Sequence, residues 1–160
     1  MKIHPKLADK LYRDFKQFWP EVDGREYRPG LDIGSGWFPL LYFTLRRASE
    51  ICDGQNLTIK INYIKEKYGG LAIEFDTLSD SDELMGLFEL AEEESYKICD
   101  ACGRAGKLVQ RGRWCMTRCS DHHSDNVIFS REVMDLLNQH QGFVCNLKDK
   151  VSLKILKCTK

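Results

Sequence analysis

Two segments near the start of the chain carry apolar residues at helical spacing. Between Pro5 and Trp19 the apolar positions recur every three or four residues, at Leu7, Leu11, Phe15 and Phe18. This spacing places them on one helix face, and the following Pro20 ends the predicted helix. Residues 21–36 are polar and contain glycine and proline, which predicts a loop.

A second helix and a β-hairpin are predicted next. Residues 37–52 are mostly apolar, and Asp53-Gly54 is expected to end this helix. Apolar and polar residues then alternate over 57–63 and again over 71–76, which is the pattern of two half-buried strands. Tyr68-Gly69-Gly70 lies between them and supplies a turn with a permissive backbone.

The remaining elements complete an α+β interpretation. Residues 82–98 predict a third helix that leads directly into Cys99. Farther on, Ser130 is a candidate helix cap, and the alternation over 151–156 predicts a last strand. We therefore predict one α+β domain over 1–160, in which helices pack on a small antiparallel hairpin or sheet and a zinc-ribbon-like module is embedded at 96–123.

The balanced charge of the chain argues against binding to nucleic acid or membranes through overall charge. The chain has 160 residues, is 42% hydrophobic, and balances 24 basic against 24 acidic side chains. It therefore has no net field to attract nucleic acid or an anionic membrane, and a local patch would be needed. No apolar run is long enough to span a membrane, and the polar start lacks a secretory pattern. We expect a cytoplasmic protein.

Seven cysteines in such a compartment indicate metal ligation rather than disulfides. Cys99 and Cys102 are separated by two residues, and Cys115 and Cys119 follow after twelve more with three residues between them. Four sulfurs in two close pairs can surround one Zn²⁺ at about 2.3 Å. Because such a site is closed, the zinc ion is expected to be structural. His122 or His123 is an alternative to Cys119 as the fourth ligand.

Simpler explanations of the cysteines remain open. One explanation is that both pairs are ordinary buried thiols. Another is that Cys99 and Cys102 form a redox Cys-x-x-Cys motif. The three isolated cysteines are interpreted as small buried hydrophobic residues; they are Cys52, Cys145 and Cys158.

Basic residues are concentrated around the cysteines and at the predicted hairpin turn. Those that are candidates for binding a partner, with the neighbouring aromatic residues, are Lys65, Lys67, Tyr68, Arg104, Arg111, Arg113 and Trp114. They either contact nucleic acid or an acidic protein, or they offset the charge of the metal centre and protect strand edges.

A glycine loop offers a competing enzymatic interpretation. Leu31-Asp-Ile-Gly34-Ser-Gly36 is similar to the cofactor loop of S-adenosylmethionine-dependent methyltransferases. However, Phe38 occupies the third glycine position, and no apolar strand precedes the loop. A loop that allows close approach to the second helix is the favoured interpretation.

Three strings together resemble a family of small phage and prophage proteins. They are Gly34-Ser-Gly-Trp-Phe-Pro-Leu-Leu41, Ile64-Lys-Glu-Lys-Tyr-Gly-Gly-Leu71, and the cysteine segment 95–119. The resemblance implies metal binding and a phage or mobile-element origin, hence a host cytoplasm, but no activity. In that family the module ends with a cysteine and a nearby histidine, which here match Cys119 and His122.

The sequence thus predicts a non-catalytic zinc-binding protein that acts as a protein-interaction module of phage type. The first alternative is a nucleic-acid-binding zinc-ribbon protein that uses the basic residues above. The second is a small enzyme, either methyltransferase-like or with a catalytic zinc ion. The ligands expected for the structural Zn²⁺ are Cys99, Cys102, Cys115 and Cys119, with His122 as the alternative.

Overall fold

A computed structural model describes residues 2–19, 21, 23–25 and 27–122 of the chain. Within these residues it confirms the α+β class, with three α-helices, a three-stranded sheet and a two-stranded sheet. The helix predicted near Ser130 and the strand predicted over 151–156 lie outside the described residues. None of the helices in the described part is long and apolar enough to cross a membrane.

Helix α1 covers Pro5–Asp14 and is shorter than predicted. The His4 side chain caps its start by accepting a hydrogen bond from the Lys6 amide at 3.3 Å. The backbone leaves the helical region at Phe15, and a 3₁₀ turn follows over Lys16–Phe18. This break lets Phe15, Phe18 and Trp19 all enter the core.

Helices α2 and α3 pack against each other. Helix α2 covers Phe38–Gln55, passes the predicted end at Asp53-Gly54, and is ended by Asn56 in the left-handed conformation. Helix α3 covers Asp82–Ser95, three residues short of the prediction, and the Ser81 hydroxyl caps its start. It packs against α2 and the sheet.

The main sheet contains the predicted hairpin and one unpredicted strand. Strands β2 (Ile59–Lys67) and β3 (Gly70–Thr77) pair antiparallel, as the alternation predicted. Strand β1 (Gly30–Asp32) lies within the segment predicted as loop and pairs parallel with β2, with Leu31 opposite Ile64. The sheet is therefore mixed rather than purely antiparallel.

The turn of the β2–β3 hairpin has an unusual central residue. Tyr68 and Gly69 both have positive φ, at 53° and 86°, which is the pattern of a two-residue type I′ turn. A bulky side chain rarely adopts this region. The Gly69 amide donates a hydrogen bond of 2.6 Å to the Glu66 carboxylate, which holds the turn.

A second hairpin packs over this turn. Strands β4 (Lys107–Arg111) and β5 (Trp114–Arg118) pair antiparallel. The buried Thr117 hydroxyl donates to the Gly69 carbonyl at 2.6 Å. A Cβ at Gly69 would lie 2.1 Å from the Leu108 side chain. The two hairpins therefore meet at a glycine, where the Leu108 side chain occupies the space that a Cβ would take.

We predict that replacing Tyr68 with glycine stabilises the fold. A left-handed backbone costs an L-residue roughly 1–2 kcal/mol, and the larger unfolded-state entropy of glycine returns part of that gain. Urea denaturation should show a free energy of unfolding that is higher by about 0.5–1 kcal/mol. Lys67→Gly, at the adjacent extended position, is the control and should be destabilising. A loss of stability in Tyr68→Gly would contradict the turn described here.

Candidate metal centre

The first half of the centre is a tight backbone turn just after α3. The Cys99 carbonyl accepts a hydrogen bond from the Gly103 amide at 2.8 Å, and the Cys99 amide donates to the Arg104 carbonyl at 2.8 Å. Gly103 has a φ of 78°, which explains why glycine follows the second cysteine. The turn brings the Cys99 and Cys102 sulfurs to one side.

The second half follows β5 and repeats the same spacing with a histidine. The His122 amide donates to the Cys119 carbonyl at 3.0 Å. The His122 Nδ1 atom lies 3.2 Å from the Cys119 Sγ atom and 3.7 Å from the Cys99 Sγ atom. The Cys102 and Cys119 sulfurs are 3.7 Å apart.

These distances fit one tetrahedral ion. The four ligand atoms, from Cys99, Cys102, Cys119 and His122, all lie within 4.8 Å of one another. Sulfurs placed tetrahedrally at about 2.3 Å from Zn²⁺ are roughly 3.8 Å apart, close to the observed separations. Cys99 and Cys119 are buried, whereas Cys102 and His122 are exposed, so the centre lies at the surface.

The structure does not bring Cys115 into this group. Cys115 lies within β5, opposite Gln110, four positions before Cys119. Four positions of extended chain cover about 13 Å, so the two side chains cannot share one ion. His122, the alternative ligand, takes the place predicted for Cys115. The signal for it is the second two-residue spacing, from Cys119 to His122; His123 lies outside the described residues.

Two of the three thiols in the group have a lowered pKa. The backbone amide and guanidinium of Arg104 lower the pKa of Cys102 to about 6. The His122 ring beside Cys119 lowers the pKa of that thiol, whereas burial raises the pKa of Cys99. Three thiolates on Zn²⁺ would leave a formal charge of about minus one. Arg104, which also pairs with Asp121 at 2.5 Å, is placed to offset it.

The glycine loop docks on the cysteine turn. The Gly36 amide donates to the Asp100 carbonyl at 2.7 Å, and the Trp37 indole donates to the Ile98 carbonyl at 2.8 Å. A Cβ at Gly34 would lie 2.0 Å from the Asp100 oxygen. A Cβ at Gly36 would lie 2.2 Å from the Cys99 oxygen. Backbone of the cysteine turn thus occupies the side-chain positions of both glycines.

Asp100 also fastens the turn to β5. Its amide donates to the Thr117 carbonyl at 3.1 Å. Its carboxylate forms an ion pair with the Arg118 guanidinium, and both side chains are largely buried. Buried pairs of this kind make the loss of one partner costly, so the arginine before Cys119 has a structural role.

The other predicted residues divide into two groups. Lys65 pairs with Glu74, and Arg104 pairs with Asp121, so both are engaged within the chain. The rest of the predicted partner-binding set is exposed, namely Lys67, Tyr68, Arg111, Arg113 and Trp114. Cys52 is buried in the core, where burial raises its pKa; Cys145 and Cys158 lie outside the described residues.

No protein-family model, curated protein or solved structure matches this chain.

We predict that Gly36→Ala disrupts both folding and metal binding. The new Cβ would collide with the Cys99 carbonyl and with the Gly103 amide, 2.4 Å away, and both are backbone atoms. Urea denaturation should show a loss of about 3 kcal/mol or more, and a chelator-competition titration should show weaker zinc binding. Gly86→Ala is the matched control, because a Cβ at this α3 position meets nothing within 4 Å. The free energy of unfolding of Gly86→Ala should be higher by as much as about 1 kcal/mol.

Single substitutions should separate the two possible ligand sets. Cys115→Ala is expected to retain one zinc ion with unchanged affinity. His122→Ala removes a direct ligand, so its affinity should fall by more than the roughly 10–100-fold that loss of an outer-shell partner costs. Metal analysis and chelator competition measure both. Weaker zinc binding in Cys115→Ala with unchanged binding in His122→Ala would restore the set predicted from sequence.

Proposed function

We propose that this chain is a non-catalytic zinc-binding protein whose zinc ion is structural and holds an interaction surface in place. The observation that carries the proposal is the closed group of three thiols and one imidazole. Thiolate and imidazole ligands favour Zn²⁺. Four protein ligands complete its tetrahedral coordination, whereas catalytic sites keep a position for water.

The position of the centre supports a structural role. It links the segment after α3 to the segment after β5, and the glycine loop before α2 packs on its first turn. The ion would thereby fix the β4–β5 hairpin against the β2–β3 turn. The filled glycine loop argues against the methyltransferase-like alternative. A phage origin and a cytoplasmic location, which the sequence suggested, complete the proposal.

Removing the metal should loosen one part of the molecule selectively. We expect the purified protein to contain one zinc ion, with an X-ray absorption spectrum of three sulfur ligands, one nitrogen ligand and no oxygen. After chelation, amide hydrogen exchange should accelerate in β4, β5 and residues 99–103. The α2 and β2 amides should keep most of their protection, because they belong to the apolar core.

Two results would contradict the proposal. One is a folded protein that contains no zinc or other transition metal. The other is a metal-bound oxygen in the absorption spectrum, which would indicate an open site suited to catalysis. Cys115→Ala is the control protein for the exchange experiment, since it alters a cysteine outside the group.

A further inference from the structure

The tips of the two hairpins each carry exposed basic and aromatic side chains. We call these side chains together the hairpin-tip surface and define it by Lys67, Tyr68, Arg111, Arg113 and Trp114. We propose that this surface binds single-stranded nucleic acid, with bases stacked on the Tyr68 and Trp114 rings and phosphates held by the two arginines. The inference rests on the proposed function, because the zinc centre fixes one hairpin on the other.

The exposure of the two aromatic residues is the first argument. Trp114 is 74% exposed, whereas Trp19 and Trp37 are 2% and 0% exposed. The indoles of both buried tryptophans donate to backbone carbonyls, so these residues have clear packing roles. Trp114 has neither burial nor such a bond in the described structure. Exposed aromatic faces are the platforms on which unpaired bases stack.

Tyr68 gives a second and independent argument. It is 76% exposed and occupies a left-handed backbone position at φ 53°. Glycine or asparagine would make the same turn with less strain. The ring also contributes little to the core at this exposure. A strained residue that does not pack suggests that the ring itself is used.

Charge is the third argument. Residues 107–118 contain four cations and no acidic residue, in a chain whose total charge is zero. Arg118 is paired with Asp100. Lys107, Arg111 and Arg113 form no ion pair within the described residues, whereas Arg104 and Lys65 do. The hairpin therefore has cations that neither the fold nor the metal centre uses.

These groups are close enough to act together. Arg111 and Trp114 are directly opposite each other in the β4–β5 register. A Cβ at Gly69 would lie 3.3 Å from the Met116 amide nitrogen, so the β2–β3 turn contacts β5 two residues from Trp114. Standard chain dimensions then place the Tyr68 and Trp114 Cα atoms within about 15 Å of each other. A flexible strand of a few nucleotides can bridge such a distance.

Single-stranded nucleic acid fits this combination better than an acidic protein. An acidic segment would use the arginines but would leave two hydrated aromatic faces without a partner. A single strand uses both, since its phosphates pair with arginine and its bases stack on either ring. A duplex hides its base faces.

The test uses the zinc-loaded full chain and two labelled probes, oligothymidylate and oligouridylate, followed by fluorescence anisotropy. Binding should be detectable at low salt and should weaken steeply as salt is added. Comparison of the two probes shows whether DNA or RNA is preferred. Zinc content and thermal unfolding are measured on every sample, so that failure of the metal proposal is recognised separately.

Variants locate the binding to this surface. Tyr68→Gly and Trp114→Ala should each weaken binding by roughly 5–150-fold, the usual effect of losing one stacking platform. Tyr68→Gly is expected to relieve strain, and its thermal unfolding distinguishes a loss of binding from a loss of folded protein. The double variant Arg111→Ala/Arg113→Ala should reduce the salt dependence. Controls are Leu78→Ala, at a 97% exposed apolar position, and Arg46→Ala, on α2.

Two outcomes would overturn this inference without affecting the zinc centre. One is folded, zinc-loaded protein that binds neither probe at low salt. The other is binding that Trp114→Ala and Tyr68→Gly leave unchanged and that polyglutamate matches, which would indicate a site for acidic protein. A protein without zinc would instead contradict the proposed function.

Discussion

One residue, Asp100, joins segments that are distant in sequence, around Gly36 and around Thr117. Its carbonyl accepts from the Gly36 amide, its amide donates to the Thr117 carbonyl, and its buried carboxylate pairs with Arg118. Asp100 also lies inside the Cys99–Cys102 turn, so these bonds fix the two sulfurs of that turn. The candidate metal centre is therefore held by backbone contacts from both sides.

The apolar core and the β4–β5 hairpin are stabilised by different kinds of contact. The contacts between α2, α3 and the main sheet bury apolar side chains such as Leu41, Ile61 and Ile64, and they need no metal. The β4–β5 hairpin, in contrast, bonds to the rest of the described chain through two neighbouring residues: Thr117 bonds to Gly69 and to Asp100, and Arg118 pairs with Asp100. A bound ion would add ties at both ends of this hairpin, because Cys102 precedes β4 and Cys119 follows β5. Structural zinc sites contribute to folding in this way.

Local pattern was sufficient to predict the parts of the fold that local interactions determine. Alternation identified the β2–β3 hairpin, and helical spacing identified α2 and α3 to within a few residues. Strand β1 was missed because it has three residues and one buried side chain, Leu31, and exists through its pairing with β2. The fourth ligand was uncertain for a related reason. Choosing between Cys115 and His122 requires knowing that Cys115 is within a strand, where four positions separate side chains by about 13 Å.

The glycine pairs show how a motif can be read once its neighbours are known. Gly34 and Gly36 resembled a cofactor loop, and Gly69-Gly70 a simple turn, yet both pairs contact the segment that bears the candidate metal ligands or residues next to it. Cβ atoms at Gly34 and Gly36 would meet backbone of the cysteine turn, and at Gly70 a Cβ would lie 2.5 Å from the Tyr96 ring. Glycine is required at such positions because another part of the chain occupies the side-chain space. A glycine motif can therefore indicate either a bound ligand or a packed chain segment. The two are distinguished by which atoms occupy the space beside the glycines.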